Sequence, residues 1–444
     1  MLSEAKIATM QWLLLIAGVL SSLAVVNVAR PRRGRISSFL GFMAAWFTIE
    51  LAFHWLALTV VLAAVGIAGG GAHGFIGLAG VALMAASAVI LAMFGREALR
   101  TPAQMRAALA DLPAALSPGP GGRFPRLHVV LPFLMQRRPG VRRVRNVEFA
   151  RVGGRSLKLD LTLPADTQPG EKRPVVLQIH GGGWTVGDKR EQGQPLLNHL
   201  AAQGWVGVNA NYRLSPGATF PDHLIDCKRA LAWIASHVAD FGGDPDYVCV
   251  TGGSAGGHLA ALVGLTANRP EYQPGFEHVD TSVRAAVPFY GCYDFTNRLG
   301  TYQEFFVSRM LEPWIMKAFL EESPEAFAAA SPIDQVHALA PPFLVLHGDR
   351  DTLIPLTDTR LFVERLREAS RQPVFYAELK GAQHAFELFP SVRAAGVVEG
   401  VERFLTTLWE QRDDAPAVLE LTPADVSVSG SASESASASP SVNA

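Results

Sequence analysis

At 444 residues the chain exceeds one average domain, and its formal net charge of −1 argues nothing about nucleic acid. Hydrophobic residues make up 49% of it and crowd into the first hundred positions, which marks that third as membrane-type sequence. Cys227, Cys249 and Cys292 form no CxxC pair, metal spacing or even-numbered disulfide framework, so they read as buried free thiols, in keeping with a reducing compartment.

Residues 1–95 read as a membrane region with three transmembrane helices, at about 9–29, 36–68 and 75–94. No small-x-small cleavage site precedes Arg30, which argues against a removed signal peptide. The second run is long for one perpendicular helix and short for a hairpin, so a single tilted helix is expected. Its ionisable residues, Glu50 and His54, stand one helical turn apart and should share a face turned to protein or headgroups. Arg30, Arg32, Arg33 and Arg35 keep the first loop cytoplasmic, and Arg96, Arg100 and Arg106 after the third run agree with that sense. The expectation is a multi-pass protein of a bacterial inner membrane whose later residues face the cytoplasm; a span more or fewer would reverse that placement.

Residues 96–143 form a basic connector containing an apolar run, LHVVLPFLM, bracketed by arginines. Such a patch can lie on an anionic leaflet or cover an active site. From 144 to 412 the character is α/β. A hairpin around Gly153-Gly154 is followed by apolar runs at 174–180, 205–210, 247–251, 284–290, 343–347 and 374–379, with helical periodicity at 223–239, 255–267, 357–370 and 391–409. Strand and helix in alternation predict a mostly parallel sheet with helices on both faces, preceded here by an all-α transmembrane region. The tail, 413–444, is rich in Ser and Ala and is expected to be disordered.

Within the α/β part, Gly252-Gly253-Ser254-Ala255-Gly256 matches G-x-S-x-G between a strand and a small-residue helix. A hydroxyl becomes a competent nucleophile only when a base removes its proton, so Ser254 requires a histidine and a carboxylate. Asp351 follows the strand PPFLVLHG, and His384 follows the next strand, in the order Ser, Asp, His. Asp349 competes for the acid; its place nearer the strand favours a turn role, so Asp351 is preferred. Upstream, His180-Gly181-Gly182-Gly183-Trp184 supplies backbone for an oxyanion hole, with the N–H groups of Gly182, Gly183 and Ala255 as expected donors.

HGGGW, then NYRLSPGATFPDHLIDCKRALAWI, then FGGDPDYVCVTGGSAGGHLAAL resemble the hormone-sensitive-lipase-like esterases and bacterial carboxylesterases of the α/β-hydrolase superfamily over residues 144–412. The resemblance implies ester hydrolysis through an acyl-serine, no metal or organic cofactor, and a structural role for the YRLSP segment and Asp226 beneath the oxyanion loop. The acid block DTLIP departs from the DPLxD form toward general carboxylesterases and formamidases, which keeps an amidase or formamidase open. The three spans are no part of the family core, although membrane-anchored actinobacterial carboxylesterases look similar in layout. Residues 295–334 fall where the fold places a cap, and their aromatics suit an acyl chain or packing against the sheet equally. The expected partners are a lipophilic ester and membrane lipid, with no nucleic acid. A non-catalytic receptor or interaction protein of the same fold is the rival from another class.

Overall fold

The computed structural model describes residues 3–29, 35–113, 122–133 and 137–412. The first-loop residues 30–34, expected on the cytoplasmic side, and the tail 413–444, expected to be disordered, lie outside that set.

Among the described residues one eight-stranded sheet runs in the order β1-β2-β4-β3-β5-β6-β7-β8. The strands are β1 (Val141–Val152), β2 (Arg155–Pro164), β3 (Arg173–Ile179), β4 (Val206–Ala210), β5 (Gly243–Gly253), β6 (Ala285–Phe289), β7 (Phe343–Gly348) and β8 (Val374–Leu379). β1 and β2 form the expected hairpin, turning at Gly153 and Gly154, whose φ angles of 54° and 77° suit a tight two-residue loop. β2 also pairs antiparallel with β4, and every later pair is parallel. The parallel strands are near-continuous Val, Leu and Ile runs because both sheet faces are covered.

Alternation along β3 separates two cores. Val175, Leu177 and Ile179 face a cluster built with α7 (Asp222–His237), α8 (Ala255–Leu265) and α9 (Leu356–Ala369). Val176 faces the opposite cluster, built with α6 (Gln194–Ala202) and α10 (Val392–Glu410). That second core also takes Phe42, Trp46 and Leu51 from the N-terminal third.

The N-terminal third contains α1 (Glu4–Ala29), α2 (Arg35–Glu50), α3 (Ala52–Ala68), α4 (Gly74–Leu99) and α5 (Thr101–Ala108). α1 and α4 are each long and apolar enough to cross a membrane. They pack at small residues: a Cβ on Gly80 would stand 2.5 Å from the backbone N of Leu15. At one end Gln11 donates to the carbonyl of His73 in the α3–α4 turn (2.7 Å); at the other Asn27 donates to Gly41 of α2 (2.7 Å).

The single tilted helix expected over 36–68 is corrected. The run breaks at Leu51, and the helices on either side diverge by 82°. At the break Glu50 is buried against Ser391 and Arg393 of the α/β body, with α2 along that surface and α3 beside α1 and α4. Glu50 and His54 therefore stand on different helices, and exposed His54 instead meets the carbonyl of Val130 (3.0 Å).

Candidate active site

The serine sits where β5 turns into α8. Ser254 has φ 59° and ψ −121°, a strained conformation for a residue with a side chain, held by its N–H donating to the carbonyl of Phe289 (3.0 Å). The turn is tight enough that a Cβ on Gly256 would lie 2.1 Å from the carbonyl of Ile179, which accounts for the small residue two places after the serine.

Asp351 and His384 occupy the turns after β7 and β8. His384 Nδ1 stands 2.7 Å from Oδ2 of Asp351, and both side chains are almost wholly buried. The other carboxylate oxygen accepts the N–H groups of Leu353 (2.8 Å) and Ile354 (2.9 Å). His347 Nε2 lies 3.2 Å from Oδ2, and its Nδ1 meets Thr359 Oγ1 at 2.8 Å. Burial alone would push the Asp351 carboxyl up, but the charge and hydrogen bonds of His384 and His347 outweigh it and hold the group well below the usual carboxylate range. Tyr290 connects the serine turn to the histidine. Its ring centroid is 4.4 Å from that of His384, and its hydroxyl would be 2.8 Å from a Cβ on Gly253.

The glycine loop lies against the serine turn, since a Cβ on Gly181 would come within 3.1 Å of Ser254 Cβ. Gly182, Gly183 and Trp184 take φ 115°, 58° and 58° in succession. Among the described residues the N–H groups of Gly182 and Gly183 donate to no other group, and Ala255 opens α8, where a first-turn N–H has no partner within the helix. Three N–H groups are thus available beside one hydroxyl.

Several side chains hold this loop, and of these Gln192 and His258 were not singled out from the sequence. Gln192 accepts the Gly181 N–H (2.6 Å), and Trp184 donates Nε1–H to His258 Nδ1 (3.2 Å) while His258 Nε2 meets the carbonyl of Ala330 (2.7 Å). Tyr212 donates to the carbonyl of His180 (3.0 Å) and stacks on its ring at 4.4 Å. Asp226, fully buried, accepts the N–H and guanidinium of Arg213 and the guanidinium of Arg229. The YRLSP segment and Asp226 therefore sit beneath the glycine loop. His258 had a usable signal, falling one helical turn after Ser254; Gln192 and Tyr290 had none. In the 295–334 segment, Met310 lies 3.6 Å from a Cβ placed on Gly183, while Leu311 and Ile315 are buried in the sheet core.

The family model described as BD-FAE matches residues 159–366. The probable carboxylic ester hydrolase LipM of Mycobacterium tuberculosis is 50% identical over 256 residues, 58% of this chain and 59% of that protein. Esterase LipQ of the same organism is 46% identical over 260 residues, 59% of this chain and 61% of that one. The matched region thus spans about three fifths of these curated relatives. Among solved structures, the butyrate-bound Est2 of Thermogutta terrifontis superposes with a TM-score of 0.51 at 26% identity, covering 60% of this chain and 94% of that one.

Proposed function

We propose that this chain, an α/β-hydrolase by its sheet order and by its likeness to solved esterases, is a membrane-anchored serine esterase. Ser254 Oγ attacks the ester carbonyl while His384 takes its proton; Asp351 fixes the imidazole and stabilises its positive charge. The N–H groups of Gly182, Gly183 and Ala255 bind the oxyanion of the tetrahedral intermediate. His384 then protonates the departing alcohol, leaving an acyl-Ser254. Water, deprotonated by the same histidine, attacks the acyl carbon and releases the acid. The observation that carries the reading is the 2.7 Å contact of Asp351 and His384 at adjacent strand ends, with the strained serine turn across Tyr290. No step requires a metal or an organic cofactor.

The anchoring rests on α1 and α4, with α3 as a third crossing and α2 outside the apolar layer against the α/β body. α3 has 17 residues, a rise of about 25 Å, near the lower limit for a bilayer crossing. On that count the end of α1 near Asn27 and the α/β body share one side, assigned to the cytoplasm by the arginines around the first loop. Leu127, Val130 and Phe133 of the connector are more than half exposed on the same side, suited to resting in a leaflet and to receiving lipophilic esters.

The test is hydrolysis of a p-nitrophenyl ester chain-length series by the full chain in detergent, beside Ser254→Ala. Turnover that falls by about 10⁶-fold in the variant is expected. Equal turnover by Ser254→Ala, or a folded wild type that neither hydrolyses esters nor reacts with an organophosphate, would refute the reading.

A further inference from the structure

The turn that carries His384 is tied down in part by residues from the other end of the chain. Trp46 of α2 donates its indole N–H to the carbonyl of Ala385 (2.8 Å), the residue after the histidine, which holds a φ of 64°. Phe42 lies edge-on to the His384 ring at 6.0 Å, and Trp46 packs on Phe389 at 5.0 Å. At the end of α2, Glu50 accepts from Ser391 Oγ (2.8 Å) and from Arg393 Nε (2.9 Å). The rest of the Arg393 guanidinium donates to the carbonyls of Lys380 (2.9 Å) and Gly381 (3.0 Å). One buried ion pair therefore grips both ends of the histidine turn, and its carboxylate belongs to α2. α4 reaches the neighbouring acid turn as well, where Glu97 pairs with Arg350 at 3.4 Å.

A histidine shuttling protons between a serine, a leaving group and water tolerates little displacement, and an error of about 1 Å at a reacting group can cost about a hundredfold in rate. Within its own domain the turn is held by Asp351, by Asp349 at Gly381, by Tyr290 at Glu387 and by Thr352 at Gln383; α2 adds Trp46 at Ala385 and the carboxylate that anchors Arg393. Arg393 also requires the partner it has, because a buried guanidinium without its counter-ion is strongly unfavourable.

We propose that α2 is a functional part of the active site, with Trp46 and Glu50 as positioning residues that hold the His384 turn, so that catalysis depends on docking of the N-terminal third and not on tethering alone. This rests on the reading of Ser254, Asp351 and His384 as the triad.

The test uses the full chain in detergent with Trp46→Phe, which keeps a ring but removes the N–H, with Glu50→Gln and with Glu50→Asp. Active sites are counted by labelling Ser254 to completion with a fluorophosphonate, so kcat is expressed per competent molecule and misfolded protein drops out. The expected result is a fall in kcat of about tenfold or more for Trp46→Phe and Glu50→Gln, with KM little changed and partial recovery in Glu50→Asp. The acidic limb of the pH–rate profile, which reports the histidine, should shift in the same variants. If kcat per labelled site and the pH profile stay at wild-type values while only the melting temperature falls, the contact is structural and the proposal is overturned. Should Glu50→Gln fail to fold, Trp46→Phe decides alone. A wild type that neither labels nor turns over would instead remove the triad reading, and this inference with it.

Discussion

The carboxylate of Asp349 accepts the backbone N–H of Gly381 at 2.7 Å, so the turn that carries Asp351 is stitched to the turn that carries His384. The two acids in the DRD block thus divide the work: one faces the imidazole, and the other fixes the distance between the two loops. Asp351→Asn should lower kcat by about 10⁴-fold with the fold intact, because an amide in that place favours the wrong imidazole tautomer. Asp349→Asn keeps an acceptor for Gly381 and should leave kcat near wild type, whereas Asp349→Ala should lose about 1 kcal/mol of stability. Steady-state kinetics and thermal melts of the three variants check this; a larger kcat loss in Asp349→Asn would exchange the assignments.

The glycine loop allows a graded test. At Gly182, φ is 115° and a Cβ would stand 2.1 Å from the carbonyl of Val186, so Gly182→Ala must move backbone. At Gly183, φ is 58° and the nearest atoms to a Cβ are those of Met310 at 3.6 Å, so alanine meets only the left-handed strain of about 1–2 kcal/mol. Gly182→Ala should lose about 10²–10³ in kcat, as for removal of an oxyanion donor, and Gly183→Ala markedly less. Equal losses would mean that backbone displacement at 182 is not what governs the site.

Much of this arrangement was legible because it is carried by local pattern. The hydrophobic runs of β3 to β8 are continuous where both faces are buried, and the Gly-Gly hairpin and the small residues around Ser254 each follow from local geometry, while the Ser, Asp, His order was expected from the fold pattern the sequence resembles. What escaped reading depends on contacts across long separations. Nothing in the run from Ile36 to Ala68 marks Leu51 as a break, and the buried partner of the adjacent Glu50 is Arg393, more than 300 positions later. Likewise Tyr290 and Glu387 become neighbours only once β6 and the histidine turn are side by side.

The Tyr290–Glu387 pair sets a prediction for rising pH between about 4.5 and about 7. Burial pushes the Glu387 carboxyl up to about 7, the Tyr290 hydroxyl acts against this, and the charge of Glu50 adds to the rise. Between the ordinary value of 4.5 and about 7 the native protein therefore holds a proton that the unfolded chain has released, so stability falls as pH rises through that window. Glu387→Gln removes the titrating group. The melting temperature of the wild type should decline relative to that variant from pH 5 to pH 8; parallel curves would show that Glu387 does not titrate there.

The acidic side is set by His258. Burial lowers its pKa to about 3, with the bond to Ala330 opposing and nearby His223 reinforcing the shift. Its two bonds fix the neutral form with the proton on Nε2, because Nδ1 must accept from Trp184 while Nε2 donates to Ala330. Protonation would set two N–H donors against each other at Trp184, the residue that ends the glycine loop in a left-handed conformation. A base depressed in this way favours folding above its unfolded value of 6.5, and that contribution drains as pH falls from 6.5 toward 3. His223, lowered to about 4 by burial, adds in the same sense. His258→Asn should therefore melt lower at pH 7 but lose less than the wild type on going to pH 5. Melting curves with equal acid slopes in the two proteins would move the acid sensitivity away from His258.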